Sequence, residues 1–507
     1  MGEHNRGISG VRRLAAMPKA GFSFTRKSCW FSLTILLLML LGAGFRLIPL
    51  GHEALGGDEL FSRRVALLPL SVGYAAVRDD LVHPPLYYLL LKAGMSILGA
   101  GALGLRALSL LCGIASIGLI AILGRRLPGA RWCGLLAAAG LAVGHNQVYY
   151  SQEARSYALY TMLVILLALW VEAISRRQRD PRLWMAGVFL MTLLAYTHYV
   201  GSLYVMAAVL ALLVCKLEPR TKVLAVASAT AAALLFMPWL MAVAGVYKSK
   251  HGVGENLDWE GLPSLYDLRM VWASSVGIMD FPGATTVALF LILVLGVAAL
   301  VLVSRKQTLR QSPAVVALAA MAVLPPLIIF ILSTSPFNLP LFGLRHLLPS
   351  TAILLLLCCY GLERLSQASA RWAPLVAAGG AALLLTLGTV PMIKVLQAGS
   401  TRYPYDMVEQ QVEASERSGT QAFTTSFYME GEAVNFYCKS TCVQPLPQDE
   451  SALPPRLLLL YRSRVTEEEK SYRQLIQSGY ADVGHVLYTN GQGGSWGTTA
   501  ASLERRK

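Results

Sequence analysis

The chain has 507 residues, of which 55% are hydrophobic and only 14% charged, with a mean hydropathy of +0.52, and this excludes an ordinary soluble globular enzyme. The formal charge of +15 suggests a nucleic-acid partner at first sight, yet the basic residues gather in short loops between apolar runs. That pattern reads as membrane topology and contact with anionic lipid, and no nucleic acid is expected as a partner.

Residues 1–29 form a basic leader containing Arg6, Arg12, Arg13, Lys19, Arg26 and Lys27. The first apolar run is not followed by a small-residue cleavage site, so the leader is expected to remain attached and cytoplasmic. From Trp30 to Met392 the sequence repeats apolar runs near the length of about 20 residues that a helix needs to cross the bilayer. Basic clusters punctuate them at Arg125-Arg126 with Arg131, Arg176 to Arg182, Lys216 to Lys222, Arg305-Lys306 with Arg310, and Arg364 with Arg371. Each is assigned to an inner loop. Eleven spans result, near 31–50, 105–124, 133–150, 156–174, 183–199, 201–215, 222–245, 284–303, 314–332, 346–363 and 373–392. This places the C-terminus outside.

Leu86 to Leu98 is also apolar, but counting it as a span would reverse every later loop and put the arginine clusters outside. It is short and preceded by Pro84-Pro85, so it reads as a surface-lying or re-entrant helix. Leu60 to Val77, interrupted by Arg63 and Arg64, reads as a second interfacial helix.

Beyond Met392 the composition becomes mixed and polar. Helical patterns at Asp406 to Arg417 and Thr466 to Ser478 alternate with strand-like runs at Ala422 to Thr425, Leu457 to Tyr461 and Val483 to Tyr488. A small extracytoplasmic α/β domain over 400–489 is expected, followed by a disordered tail over 490–507. Six of the eight cysteines sit in or beside apolar runs as packing residues, whereas Cys438 and Cys442 fall in the outer domain, where either a disulfide or two free thiols is compatible with the sequence.

On this topology the polar groups with chemical potential share the outer face. They are Asp58-Glu59 and His83 in the first outer loop (51–104), Tyr149 to Tyr157 with Glu153 and Arg155, Tyr196 to Tyr199 with His198, and Arg345-His346. Sugar transfer from a polyprenyl phosphate suits such a set, because the leaving phosphate needs no proton. One carboxylate base for the acceptor hydroxyl and cations or hydrogen-bond donors for the phosphate are sufficient.

The order of Gly57-Asp58-Glu59, His83-Pro84-Pro85-Leu86-Tyr87-Tyr88, Tyr150-Ser151-Gln152-Glu153-Ala154-Arg155-Ser156-Tyr157 and Arg345-His346-Leu347-Leu348-Pro349 resembles the GT-C membrane glycosyltransferases. Within them it is similar to the branch of protein O-mannosyltransferases and lipid A aminoarabinose transferases, over roughly residues 30–395. The resemblance implies an all-α polytopic membrane domain with interfacial helices, carrying here the small C-terminal α/β domain. It also implies an inverting transferase using a polyprenyl-phosphate sugar at the non-cytoplasmic face of a bacterial inner membrane. By the same resemblance Asp58 is the base or acceptor-orienting carboxylate with Glu59 beside it, and His83 falls at a phosphate or metal contact; Arg155, Arg345 and His346, opposite the acidic loop, are expected to face the donor phosphate. Tyr87, Tyr150, Glu153, Tyr157, His198 and Tyr199 are expected to line the substrate. The loop from Tyr247 to Gly283 is too short for the lumenal insertion of the mannosyltransferases, so a glycan or lipid acceptor is favoured over protein.

Plainer readings accompany these. Asp58 fits a helix N-cap, and His83 before two prolines fits the end of an extended segment. His198 with Tyr196 and Tyr199 fits an aromatic belt, and Arg106 fits a snorkelling helix end. His83, Asp58, Glu59 and His198 could hold a divalent metal ion, although their spacing matches no metal signature, and no cofactor is otherwise implied. The rival functions are a flippase or transporter of a lipid-linked sugar, an O-antigen type ligase or polymerase, and a membrane scaffold.

Overall fold

A computed structural model describes residues 26–48, 50, 55–249, 262–275, 312–337, 339, 341–398, 405–425, 431–438, 442–447, 449, 452–462, 466–489 and 497–506. The expected span at 284–303 lies outside them. The helices in chain order are α1 (Arg26–Leu47), α2 (Gly57–Leu67), α3 (Leu70–Asp80), α4 (Leu86–Leu98), α5 (Ala102–Arg126), α6 (Cys133–Val143), α7 (His145–Ser151), α8 (Tyr157–Arg176), α9 (Pro181–Thr197), α10 (Gly201–Val214) and α11 (Pro219–Ser249). They continue as α12 (Leu265–Ser274), α13 (Pro313–Ser333), α14 (Leu348–Ser366) and α15 (Ala373–Ala398). Seven described helices are long and apolar enough to cross a membrane, so the chain is an integral membrane protein.

Burial separates the helices by role. Helix α1 turns Trp30, Leu36, Leu37 and Leu40 outward, as a lipid-facing helix does, while α8 and α14 are mostly buried among their neighbours. Helices α5 and α6 approach closely where Gly124 meets Gly134, since a Cβ on either would collide with backbone of the other helix. The run read as one span at 133–150 is broken at Gly144, the C-cap of α6, and continues as α7 in a new direction. Arg46, fully buried near the end of α1, donates to the carbonyls of Leu141 and Ala142 in the last turn of α6, where the helix dipole is negative. Gln152 returns the link by donating Nε2–H to the Arg46 carbonyl at 2.8 Å.

The stretch expected as one interfacial helix at 60–77 is two helices, because Leu68-Pro69 stops α2 before α3 begins. Lys92 on α4 donates to the carbonyls of Ala66 (2.9 Å) and Leu68 (2.8 Å), satisfying the end of α2 and tying α4 across it. Helix α3 ends at Leu81, a non-glycine residue in the left-handed region (φ 62°). That strained turn aims the chain toward His83.

The C-terminal part contains α16 (Tyr405–Arg417), β1 (Gln421–Thr424), α17 (Glu432–Cys438), β2 (Val443–Pro445), β3 (Arg456–Arg462), α18 (Thr466–Gln477), β4 (Tyr480–Thr489) and β5 (Gly497–Arg505). The sheet order is β2-β1-β3-β5-β4, with β1 parallel to β2 and β3, and β5 antiparallel to both β3 and β4. The expectation of a disordered tail from 490 is therefore corrected for 497–505. Ala500, Ala501 and Leu503 bury their small and apolar side chains in β5 between β3 and β4, a pattern too weak to stand out beside the flanking glycines. Cys438 and Cys442 are joined in a disulfide.

Candidate active site

Gly56 caps α2, and Asp58 and Glu59 occupy its first turn, where carboxylates oppose the positive end of the helix dipole. Asp58 is thus not the N-cap that the plainer reading allowed. The two neighbours have opposite fates. Glu59 is buried, accepting from Arg106 at Nε (2.7 Å) and Nη2 (2.6 Å), from the Gly56 N–H (3.1 Å) and from the Ala154 N–H (3.0 Å). It is a brace between the first and third elements of the site, so the expected partnership with Asp58 in the chemistry does not fit its geometry. Arg106, 0% exposed, is this brace's other half and does not snorkel.

Asp58 points the other way. Its side chain is 54% exposed, and its Oδ2 lies 3.7 Å from Nε of Arg155, which is buried. Arg155 sits in the irregular turn between α7 and α8 and spreads its guanidinium over three groups. Nη1 donates to the hydroxyl of Tyr88 at 3.1 Å, Nη2 meets His83 Nδ1 at 3.3 Å, and Nε faces Asp58. Behind it Ser109 donates to the Arg155 carbonyl (3.1 Å), and Tyr87 in turn donates to Ser109 (2.8 Å). Tyr87, expected to line the substrate, therefore steadies the arginine's backbone. Its neighbour Tyr88 is the residue that reaches the site, a distinction of one helical position that the pair Tyr87-Tyr88 does not betray in sequence.

His83 closes the arrangement. With Nδ1 accepting from Arg155, the ring carries its proton on Nε2, and that buried nitrogen has no hydrogen-bond partner. Burial, then the charge of Arg155, with smaller effects of His198, His346 and Arg345, hold His83 well below the usual imidazole value, so it is neutral at pH 7. Its ring centroid stands 5.0 Å from that of His198, whose Nδ1 accepts from the Val200 N–H and whose Nε2 is likewise buried and unpartnered. His346 lies 5.3 Å beyond, donating Nδ1–H to the Leu341 carbonyl and accepting at Nε2 from Arg345. Tyr157 is the hub, with its ring 5.8 Å from His83, 6.2 Å from His198, 6.2 Å from His346 and 5.4 Å from Tyr150. Tyr160, which sequence reasoning passed over as an apolar-helix residue, stacks on His198 at 4.6 Å.

Residues from five separate segments therefore converge: Asp58, His83, Arg155 with Tyr157, His198, and Arg345-His346. Glu153 belongs to the same turn as Arg155, and its carboxylate is near enough to Tyr150 to act on it electrostatically. Tyr199 does not join them. Its hydroxyl accepts from Trp239 Nε1 at 3.0 Å on the seam between α9 and α11, where Tyr196 packs on Phe236, so it belongs to the aromatic packing there. Among the described residues no three of His, Cys, Asp or Glu gather to hold an ion, and the hydrogen bonds at Nδ1 of His83 and His198 leave the ring proton of each on Nε2.

The profile of a family described as dolichyl-phosphate-mannose-protein mannosyltransferase matches residues 82–241. The apo structure of ArnT from Cupriavidus metallidurans superposes with a TM-score of 0.57 at 14% identity, covering 94% of this chain and 98% of that one. The chain has the GT-C fold. The same ArnT bound to undecaprenyl phosphate gives a TM-score of 0.56 at 13% identity, with 94% and 98% of the two chains covered. A third GT-C structure, the oligosaccharyltransferase of Archaeoglobus fulgidus in complex with Zn and sulfate, gives 0.52 at 10% identity, covering 92% of this chain and 72% of that one. No curated protein matches by sequence. The GT-C profile match begins at Val82, so it takes in His83, Arg155 and His198 but not Asp58 or Arg345.

Proposed function

We propose that the chain is an inverting glycosyltransferase that takes a sugar from a polyprenyl phosphate at the extracytoplasmic face of a bacterial inner membrane. The acceptor is an envelope glycan or lipid, less favourably a protein. The observation that carries this reading is the half-exposed Asp58 carboxylate 3.7 Å from a buried Arg155 that also faces His83. Asp58 removes the proton of the acceptor hydroxyl as that oxygen bonds to the anomeric carbon. On the opposite side the carbon–oxygen bond to phosphate breaks, and the phosphate leaves with the electron pair. Arg155 and the unpartnered Nε2–H groups of His83 and His198 are donors placed to receive the charge that develops there. A small, mostly apolar hollow between α2, α3 and α4 is lined by Val65, Leu70, Val77, Tyr88 and Leu89, with Lys92 at its wall. The likeness to a structure holding undecaprenyl phosphate supports the same carrier.

The test incubates purified protein with undecaprenyl-phosphate mannose, glucose and aminoarabinose plus envelope lipid extract, scoring transfer in wild type and Asp58→Asn. Loss of transfer by about 10²-fold or more is expected for a missing base. Equal transfer by both removes Asp58 from the mechanism, and movement of carrier across vesicles without bond exchange replaces the enzyme by a transporter.

A further inference from the structure

Two consecutive arginines on α2 have no part in the chemistry above. Arg64 pairs with Glu432 at 3.2 Å, and Arg63 lies over the ring of Phe436 at 5.1 Å while its Nε donates to the Ala100 carbonyl at 3.1 Å. Glu432 and Phe436 both belong to α17 of the outer α/β domain, and the helix ends in the disulfide of Cys438 with Cys442. The outer domain thus grips, through two side chains one turn apart on α17, the same short helix that carries Asp58 in its first turn.

We propose that Arg64 and Glu432 are positioning residues, through which the outer domain sets the orientation of α2 and so the distance from Asp58 to Arg155. The inference rests on the reading of Asp58 as the base. Arg64 is 40% exposed, so its ion pair is screened and contributes little stability. Its consequence is registry. Asp58 has no tight tether of its own to Arg155 at 3.7 Å, whereas Glu59 beside it is locked by Arg106. A slight roll of α2 about that lock alters the Asp58 distance first, and misplacement of a reacting group by about 1 Å costs up to roughly 10²-fold in rate. The disulfide keeps the end of α17 closed against the sheet, two residues past Phe436.

The experiment uses the full chain in nanodiscs, as wild type, Glu432→Gln, Glu432→Arg, Arg64→Glu and the swap Arg64→Glu/Glu432→Arg. Deuterium uptake over residues 57–67 is read together with kcat and KM for whichever of undecaprenyl-phosphate mannose, glucose or aminoarabinose the wild type turns over. Each single variant should raise uptake over 57–67 and lower kcat about tenfold, with KM within about twofold and an unchanged melting temperature. The swap should restore both readouts. Unchanged uptake over 57–67 in Glu432→Arg, or a swap as impaired as the singles, overturns the proposal. If uptake follows the proposal while Asp58→Asn retains full transfer, the coupling stands and the assignment of the base fails.

Discussion

Glu59 and Arg106 form a bidentate pair wholly inside the protein, one residue along from a carboxylate that faces outward. Two adjacent acids on a helix point about 100° apart, and here that angle separates structure from chemistry. Charges removed from water persist only when fully satisfied, and Glu59 achieves this with two backbone N–H groups besides the guanidinium. Arg106→Met should therefore lower unfolding stability by about 3–5 kcal/mol, because it leaves the carboxylate buried and half compensated. Glu59→Leu/Arg106→Met should recover most of that loss. Thermal unfolding in detergent measures both, and a single variant as stable as wild type would mean that the carboxylate finds water.

Tyr87 and Tyr88 offer a second contrast of neighbours. Tyr88 takes a hydrogen from the buried guanidinium, and a bond to a charged group contributes roughly 1.5–3 kcal/mol. Tyr88→Phe should lower kcat/KM about tenfold or more and also cost about 1.5–3 kcal/mol of stability. Tyr87→Phe breaks only the relay through Ser109 to the Arg155 carbonyl, so it should cost about 1 kcal/mol of stability and less activity. Steady-state kinetics beside thermal unfolding separates the two, and equal activity losses would refute the assignment.

The neutral state of His83 makes stability depend on pH. Burial and the guanidinium of Arg155 place its folded value well below the ordinary 6.5, so in the interval between them the unfolded chain binds the proton and the folded chain does not. Stability should be full above about pH 6.5 and fall progressively as pH drops through and below it. His83→Gln should remove part of that slope. Melting temperatures measured from pH 8 down to pH 5 check it, and an identical slope in the variant would assign the proton uptake elsewhere.

The membrane helices were readable because lipid imposes one rule on every span, a long apolar run bounded by charge. Ten of the eleven expected runs coincide with described helices, α6 with α7 counting as one, and seven described helices are long and apolar enough to cross a membrane. The convergence of Asp58, His83, Arg155 and His346 was legible because each is a polar residue that apolar packing does not need. Sequence does not encode which face of a one-turn segment a side chain occupies, and that is why Glu59, Tyr87 and Tyr199 were grouped with the chemistry. The strand β5 was hidden for another reason. Thr498, Thr499, Ala500 and Ala501 are buried in succession, and that burial is decided by the neighbouring strand β3, distant in sequence, and not by their own hydrophobicity.

Glu363 was equally invisible, since it stands among the residues that end an apolar helix, beside Arg364. Its carboxylate reaches across to the start of α6, accepting from the N–H groups of Arg131, Trp132 (3.1 Å) and Cys133 (2.8 Å). The α6 N-terminus has no side-chain cap of its own, so a carboxylate from α14 satisfies the first-turn donors and opposes the helix dipole. Glu363→Ala leaves several donors unsatisfied in a place that water reaches poorly, and the cost should be about 2–4 kcal/mol, with Glu363→Gln intermediate. Because α6 carries Leu141 and Ala142 to Arg46, and Arg46 holds Gln152 next to the turn of Arg155, the variant should also slow transfer modestly. Deuterium uptake at 131–137 should rise in Glu363→Ala ahead of any change at 57–67. Protection there equal to wild type would show that α6 is held by its neighbours' packing alone.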